Sequence, residues 1–413
     1  MFGDFGLALP CFGRDRRQRD GSNDADREPV LLVSGIGGSI LNSKQKKNGS
    51  LLRIWVRILF SNYEFKTRLW SMYNPETGYT ETLNPDIDIV VPDDDYGLYA
   101  IDILDPAWWV KLLHVTDVYH FHDMIDMLID CGYKKGTTLF GYGYDFRQSN
   151  RIDKAMNGLK MKLQTAYKAS GGKKVNVISH SMGGLLVQCF MYLHKDVFAK
   201  YVNKWITIAT PFQGAPGCIN DSLLTGLQFV YGFKSFFFVS RWTMHQLLTY
   251  NGKSVALPFN LSILKWAAGT RQMLDNAQLP DSVDFYNIYG ISYDTPHNVC
   301  YGSEASPIDD LPEICHTMPE YSYVDGDGTV PSESAEADGF NAKARVAVKG
   351  EHRALLRSET VLKLIKNWLG LTQQSQTSMK AKVANVFPDL IPSEEAYKNS
   401  TIGLCEDLLS KQI

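Results

Sequence analysis

Residues 175–186 read VNVISHSMGGLL. An apolar run ends in Ser179-His180-Ser181-Met182-Gly183-Gly184, and an apolar helical pattern begins at once. Packing alone does not require two serines and a histidine at the end of a buried strand. Two readings are open. Either Ser181 is a nucleophile on a sharp strand-to-helix turn, or this is an ordinary βα loop before a helix that starts in small residues. A nucleophilic serine needs its Oγ exposed at the carboxyl edge of a sheet, with the next backbone amide aimed at the substrate oxygen. The strained turn that achieves this demands small neighbours two places away on either side, hence G-x-S-x-G. Here Ser179 stands in place of the first glycine and Gly183 supplies the second. Serine is small enough for the turn, although the match to the pattern is weaker.

Working outward, strands and helices alternate. PVLLVSGIGGS (29–39) is an aliphatic run ending in a glycine-rich turn, and TTLFGYGYDFR (137–147) is a second strand. Ile152, Met156, Leu159, Leu163 and Tyr167 fall at helical spacing, and Gly171-Gly172 stops that helix. The strand KVNVISH, a helix over 182–194, and the strand KWITIATP (204–211) follow. DFYNIYGIS (284–292) and ARVAVKG (344–350) are later strands, and a helix after His352 carries Leu355, Leu356, Val361, Leu362, Ile365 and Trp368. Apolar strands alternating with helices predict an α/β fold: a mostly parallel sheet covered on both faces.

Two aromatic-rich stretches, about 40–110 and 212–283, break this rhythm and are expected to be a lid and a cap on the loop side of the sheet. Residues 1–28, charged and rich in Gly, Ser, Asn and Asp, are expected to be a disordered tail. One α/β domain is expected over 29–371, and a second tail over 372–413.

The composition narrows the chemistry. The chain has 413 residues, 44% hydrophobic and 21% charged, with a formal net charge of −3, so no basic footprint for nucleic acid is present. No run approaches the roughly 20 apolar residues of a membrane span, and the first residues do not read as a secretory signal. Seven cysteines, an odd number, favour reduced thiols and a cytoplasmic location.

Ser181 requires a base and an orienting acid, supplied later in the chain with the acid first. The loop VDGDGTVPSES offers Asp325 and Asp327 among glycines, and GEHRALL places His352 just after a strand. The same carboxylates mimic a calcium loop, but Val330 and Pro331 occupy positions where that loop needs glycine and open chain. His120 and His122 form one close pair without a cysteine cluster, which argues against zinc and for a helix start at the surface. The GIGGS turn lacks the register of a nucleotide loop, so no metal and no cofactor are expected. In a hydrolase those glycines let the backbone approach an oxyanion, with the Ile36 and Met182 amides as donors.

The stretches PVLLVSGIGGSIL, YGYDFRQS, ISHSMGG, ITIATPFQGA, YVDGDGTVP and KGEHRALL together resemble the lecithin–cholesterol acyltransferase family, over roughly residues 29–370. The resemblance implies an α/β-hydrolase core that attacks a glycerophospholipid ester, forms an acyl-serine, and passes the acyl group to water or an alcohol. It places Ser181 as nucleophile, Asp327 as acid, His352 as base, and Ile36 and Met182 as oxyanion donors. Secreted members staple the lid with a disulfide; here no cysteine lies between Cys11 and Cys131, and the second insertion looks short.

The expectation is therefore a cytoplasmic phospholipase A, with an O-acyltransferase acting on a sterol or diacylglycerol hydroxyl as the alternative, and a non-catalytic lipid-binding protein as the third. In the first insertion Trp55, Phe60, Tyr63, Phe65 and Trp70 interleave with Arg53, Arg57, Lys66 and Arg68. They read either as a lid touching a membrane surface, with Trp55 and Trp70 as lipid contacts, or as a surface helix packed on the core. Trp108 and Trp109 read as pocket wall or, in preference, as core, and Arg147 as a structural ion-pair partner and not a catalytic group. Oligomeric state is not legible.

Overall fold

The computed structural model describes residues 27–57, 65–69, 71–113, 115–217, 226–228, 238–240, 261–303, 305–307 and 320–371. Its centre is a sheet of six strands: β1 (Val30–Val33), β2 (Leu139–Tyr142), β3 (Val175–His180), β4 (Val202–Ile208), β5 (Asp284–Ile291) and β6 (Ala344–Lys349). Their order is β6-β5-β4-β3-β1-β2, and every pairing is parallel.

The longer helices among the described residues are α1 (His122–Asp130), α2 (Asp153–Ala169), α3 (Met182–Leu193), α4 (Leu261–Asp275) and α5 (Glu359–Trp368). The period-2 alternation of the strands divides the core between the two faces. Leu31, Val33, Val177, Trp205 and Phe285 pack with α2 and α3, while Val30, Leu32, Ile178, Ile206 and Ile288 pack with α1 and α5. Both sides of β3 are thus covered and all six of its residues are buried, with Val175, Val177 and Ile178 packed into the core on the two faces. Trp205 is fully buried among Phe198, Phe285 and Phe340; cutting it to alanine is expected to cost about 3–5 kcal/mol.

The helix expected after Arg151 forms because Ala155, Met156, Leu159, Leu163 and Ala166 present one apolar stripe. It ends at Gly171, whose positive φ of 75° suits a residue without a Cβ.

Several expectations need correction. The second insertion is not all cap: α4 lies in it and is the crossover helix between β4 and β5, docked on α3 through buried Leu274 and a hydrogen bond from Gln188 Nε2 to the Leu274 carbonyl (2.9 Å). The first insertion contains, among its described residues, a three-stranded antiparallel sheet (Leu41–Gln45, Leu51–Trp55, Ile87–Val90) where a surface helix was one reading. The helix expected after His352 is broken at Ser358, in extended backbone, because the 3-10 turn Ala354–Arg357 first drives Leu355 and Leu356 into the core. Glu28, assigned to the tail, is tied to the domain: its carboxylate accepts from Asn176, Asn203 and Lys204 beneath the sheet. Trp108, read as core, is 74% exposed on the short helix Trp108–Leu112. Residues 1–26 of the expected tail 1–28, the expected tail 372–413, and the cap segments 218–225, 229–237 and 241–260 lie outside the described residues.

Candidate active site

Ser181 falls between β3 and α3 with φ 54° and ψ −132°, a conformation that costs a non-glycine residue about 1 kcal/mol or more. Its amide donates to the Ile208 carbonyl (2.9 Å), so the neighbouring strand holds the strained turn in place. The small residues around it have visible reasons. A Cβ on Gly183 would collide with the Ser34 carbonyl, and one on Gly35 would lie 2.7 Å from Ser181 Cβ. Ser179, the departure from the glycine pattern, is fully buried, and its Oγ accepts the indole N–H of Trp205 (3.0 Å). The hydroxyl there satisfies a tryptophan donor that glycine would leave unpaired.

Asp327 stands at the end of a strand missed in the sequence. Residues Tyr293–Cys300 and Glu320–Gly326 form an antiparallel hairpin on the carboxyl side of β5, and the chain leaving it turns at Asp327. Asp327 Oδ1 accepts the amides of Thr329 (3.0 Å) and Val330 (2.7 Å), the bonding of a tight turn and not of a calcium loop. Its Oδ2 lies 2.7 Å from His352 Nδ1. The carboxylate therefore places the imidazole proton on Nδ1 and leaves Nε2 as an acceptor, 2.9 Å from Ser181 Oγ. All three side chains are buried, at 4%, 1% and 6% exposure for Ser181, Asp327 and His352. The structure thus brings the three residues singled out in the sequence into one hydrogen-bonded row.

Met182 is the first residue of α3, so its amide has no acceptor within the helix. Ile36 sits in the Gly35–Gly38 turn, its side chain 61% exposed, and its amide makes no hydrogen bond among the described residues. A Cβ on Gly35 would also lie 3.3 Å from the Met182 amide nitrogen, so the glycine turn abuts both Ser181 and that amide.

Trp55 is not a free lipid contact. Its Nε1–H donates to the Gly37 carbonyl (2.8 Å) and its ring packs on Gly37 and on Phe146, so it braces the glycine turn. Arg53, expected to face headgroups, pairs with Asp105 and donates to the Val56 carbonyl (3.2 Å), and Arg68 donates to Ser43 Oγ (3.0 Å). Trp70, the other expected lipid contact, lies outside the described residues, as do Phe60 and Tyr63. Arg147 binds Asp145 with two nitrogens (2.8 and 2.7 Å) and the Leu69 carbonyl (3.0 Å), the structural pairing expected of it.

Of the histidine pair, His122 opens α1 and lies 2.6 Å from Asp102, partly exposed. His120 contradicts the surface reading: it is 5% exposed and its ring meets that of His180, 5.3 Å away between centroids. Among the described residues no group of acidic, histidine and cysteine side chains is arranged to hold a metal ion, and Cys131, Cys189 and Cys300 are free thiols.

An acid, a base and a strained serine at the carboxyl edge of a parallel sheet, with helices on both faces, define an α/β-hydrolase of the serine esterase class. Comparison with known proteins refines this. The family model for lecithin:cholesterol acyltransferase matches residues 60–257. The chain is 60% identical to Phospholipase A(1) LCAT3 of Arabidopsis thaliana over 88% of its length and 95% of that protein's. It is 46% identical to Lecithin-cholesterol acyltransferase-like 4 of the same plant, over 91% and 82%. Among solved structures it is similar to the mature Bacillus licheniformis lipase BlEst2, with a TM-score of 0.40 and 14% identity over 85% of this chain and 96% of that one. The chain belongs to the lecithin:cholesterol acyltransferase family.

Proposed function

We propose that this protein is a phospholipase A that cleaves glycerophospholipids such as phosphatidylcholine through an acyl-serine intermediate. The observation that carries the reading is the row Ser181 Oγ, His352 Nε2, His352 Nδ1, Asp327 Oδ2, at 2.9 and 2.7 Å. His352 takes the hydroxyl proton as Ser181 Oγ attacks the ester carbonyl, and Asp327 stabilises the imidazolium. The Ile36 and Met182 amides receive the developing oxyanion, each contributing on the order of 3 kcal/mol to the transition state. The imidazolium then protonates the departing glycerol oxygen. In the second half His352 activates water, which releases the fatty acid and restores the serine.

The name of the Arabidopsis relative, a phospholipase A(1), supports attack at the sn-1 ester. The substrate is taken from a membrane surface by an enzyme that resides in the cytoplasm. Free thiols at Cys131, Cys189 and Cys300 support that location, and no described helix is long and apolar enough to cross a membrane.

The test is incubation of the purified protein with phosphatidylcholine labelled differently on its two chains, with and without sterol. The expected products are sn-1 fatty acid and the corresponding lysolipid, unchanged by chelator and absent with Ser181→Ala. Steryl ester as the main product would transfer the reading to an acyltransferase. Undiminished cleavage by Ser181→Ala would overturn it.

A further inference from the structure

Three histidine rings run in series behind the serine: His120 to His180 at 5.3 Å and His180 to His352 at 4.8 Å between centroids. The reaction described above uses only the last. Resting on that reading of Ser181 and His352, we propose that His180 and His120 are positioning residues for the base, a pair of neutral imidazoles that fix the His352 main chain against the nucleophile turn.

His180 directly precedes Ser181, and its Nε2–H donates to the His352 carbonyl (3.1 Å). The His352 amide donates to the Asp327 carbonyl (2.9 Å). The main chain of the base is therefore held from both sides, once by the acid's residue and once by the residue next to the nucleophile. Accepting at the carbonyl fixes the tautomer of His180: the proton is on Nε2, and Nδ1 is bare, without a partner among the described residues.

His120 backs this arrangement. Its amide donates to the Asp102 carbonyl (2.9 Å), and its ring fills the hollow between His180 and Gly38, where a Cβ on Gly38 would collide with His120 Nε2. One ring thus touches both the glycine turn that carries Ile36 and the histidine that holds the base. Neither nitrogen of His120 has a partner among the described residues, a cost that an aliphatic residue of similar volume would avoid. Burial, then Arg353 and His352, push His120 down to about 3, and burial, then His352, His120 and Arg353, hold His180 well below its ordinary value. Both rings stay neutral while His352 exchanges its proton with Ser181, so only one imidazolium ever forms in the row.

The test compares His180→Gln, which keeps an N–H donor at similar reach, with His180→Phe, which keeps the ring and loses the donor, in hydrolysis of phosphatidylcholine in mixed micelles. His180→Phe is expected to lose about tenfold or more in kcat with KM within about twofold and its melting temperature unchanged, and His180→Gln to recover to within about threefold of the parent. His120→Ala, which empties the hollow, is expected to lower kcat by about tenfold in the same way. Phenylalanine performing as well as glutamine at 180, or kcat falling only in step with stability, would overturn the proposal. If His180→Phe does not fold, His180→Ala decides by the same criteria. Cleavage retained by Ser181→Ala would instead mean that the nucleophile is wrongly assigned, a separate failure.

Discussion

His352 Nε2 lies 2.9 Å from Ser181 Oγ, although 171 residues separate them and their strands are not neighbours. Ser181 follows β3 and His352 follows β6, with β4 and β5 between. Three strand spacings, about 14 Å, separate the two strand ends, so the base must reach back across the edge of the sheet. Two devices bridge that gap. The hairpin ending at Gly326 brings Asp327 over the end of β5, and His180 reaches from the nucleophile's own strand to the His352 carbonyl.

The strain at Ser181 is measurable. Glycine tolerates a φ of 54° and alanine does not, so Ser181→Gly and Ser181→Ala share the same chemical loss but not the same backbone cost. Both variants are expected to be inactive, with Ser181→Gly the more stable by about 1 kcal/mol in urea unfolding. Equal stabilities would show that the turn carries no strain.

Ser179→Gly completes the glycine pattern but removes the acceptor of Trp205 Nε1–H. A buried donor left unpaired costs about 1–3 kcal/mol. The expected result is a less stable enzyme with kcat close to the parent's, read by thermal unfolding and by phospholipid hydrolysis. A gain in stability would mean that the serine is there for another reason.

The parallel sheet, its alternation of strands and helices, and the three residues of the hydrogen-bonded row were legible because each leaves a local mark. Buried parallel strands such as β1 are continuously apolar, and the turns at Ser181 and Asp327 need glycines beside them. What escaped reading was decided by partners distant in the chain. Trp55 looks like a lid aromatic until the Gly37 carbonyl is found at its Nε1. The helix α4 was hidden in an insertion because its apolar face is set by α3 and by the Gln188 side chain, not by a clean period of its own. The burial of His120 depends on Gly38 and His180, which no local pattern reports.

Trp55→Phe keeps most of the ring contact with Gly37 and Phe146 and removes one hydrogen bond. Net loss of such a bond is worth about 1 kcal/mol, felt at the turn that presents the Ile36 amide. A fall in kcat of about three- to tenfold is expected with KM little changed, since the oxyanion forms only after substrate has bound. A rise in KM at constant kcat would return Trp55 to the role of a lipid contact.

The buried histidines set how the fold responds to acid. His120 titrates near its ordinary value of 6.5 when unfolded and at about 3 when folded, because burial, Arg353 and His352 all oppose its charge. His180, facing His352, His120 and Arg353, is shifted in the same direction. Below about pH 6.5 the unfolded chain therefore binds protons that the folded chain refuses. Their contribution to stability is fully present above that pH and is lost progressively as the pH falls towards 3, at up to about 1.4 kcal/mol per pH unit for each ring. His120→Phe removes one of these protons from the balance. Urea unfolding between pH 7 and pH 4 is expected to show a shallower loss of stability for the phenylalanine variant than for the parent, by about one proton's slope. Parallel curves for the two proteins would mean that His120 takes up its proton in the folded state, and that the row behind Ser181 is not kept neutral.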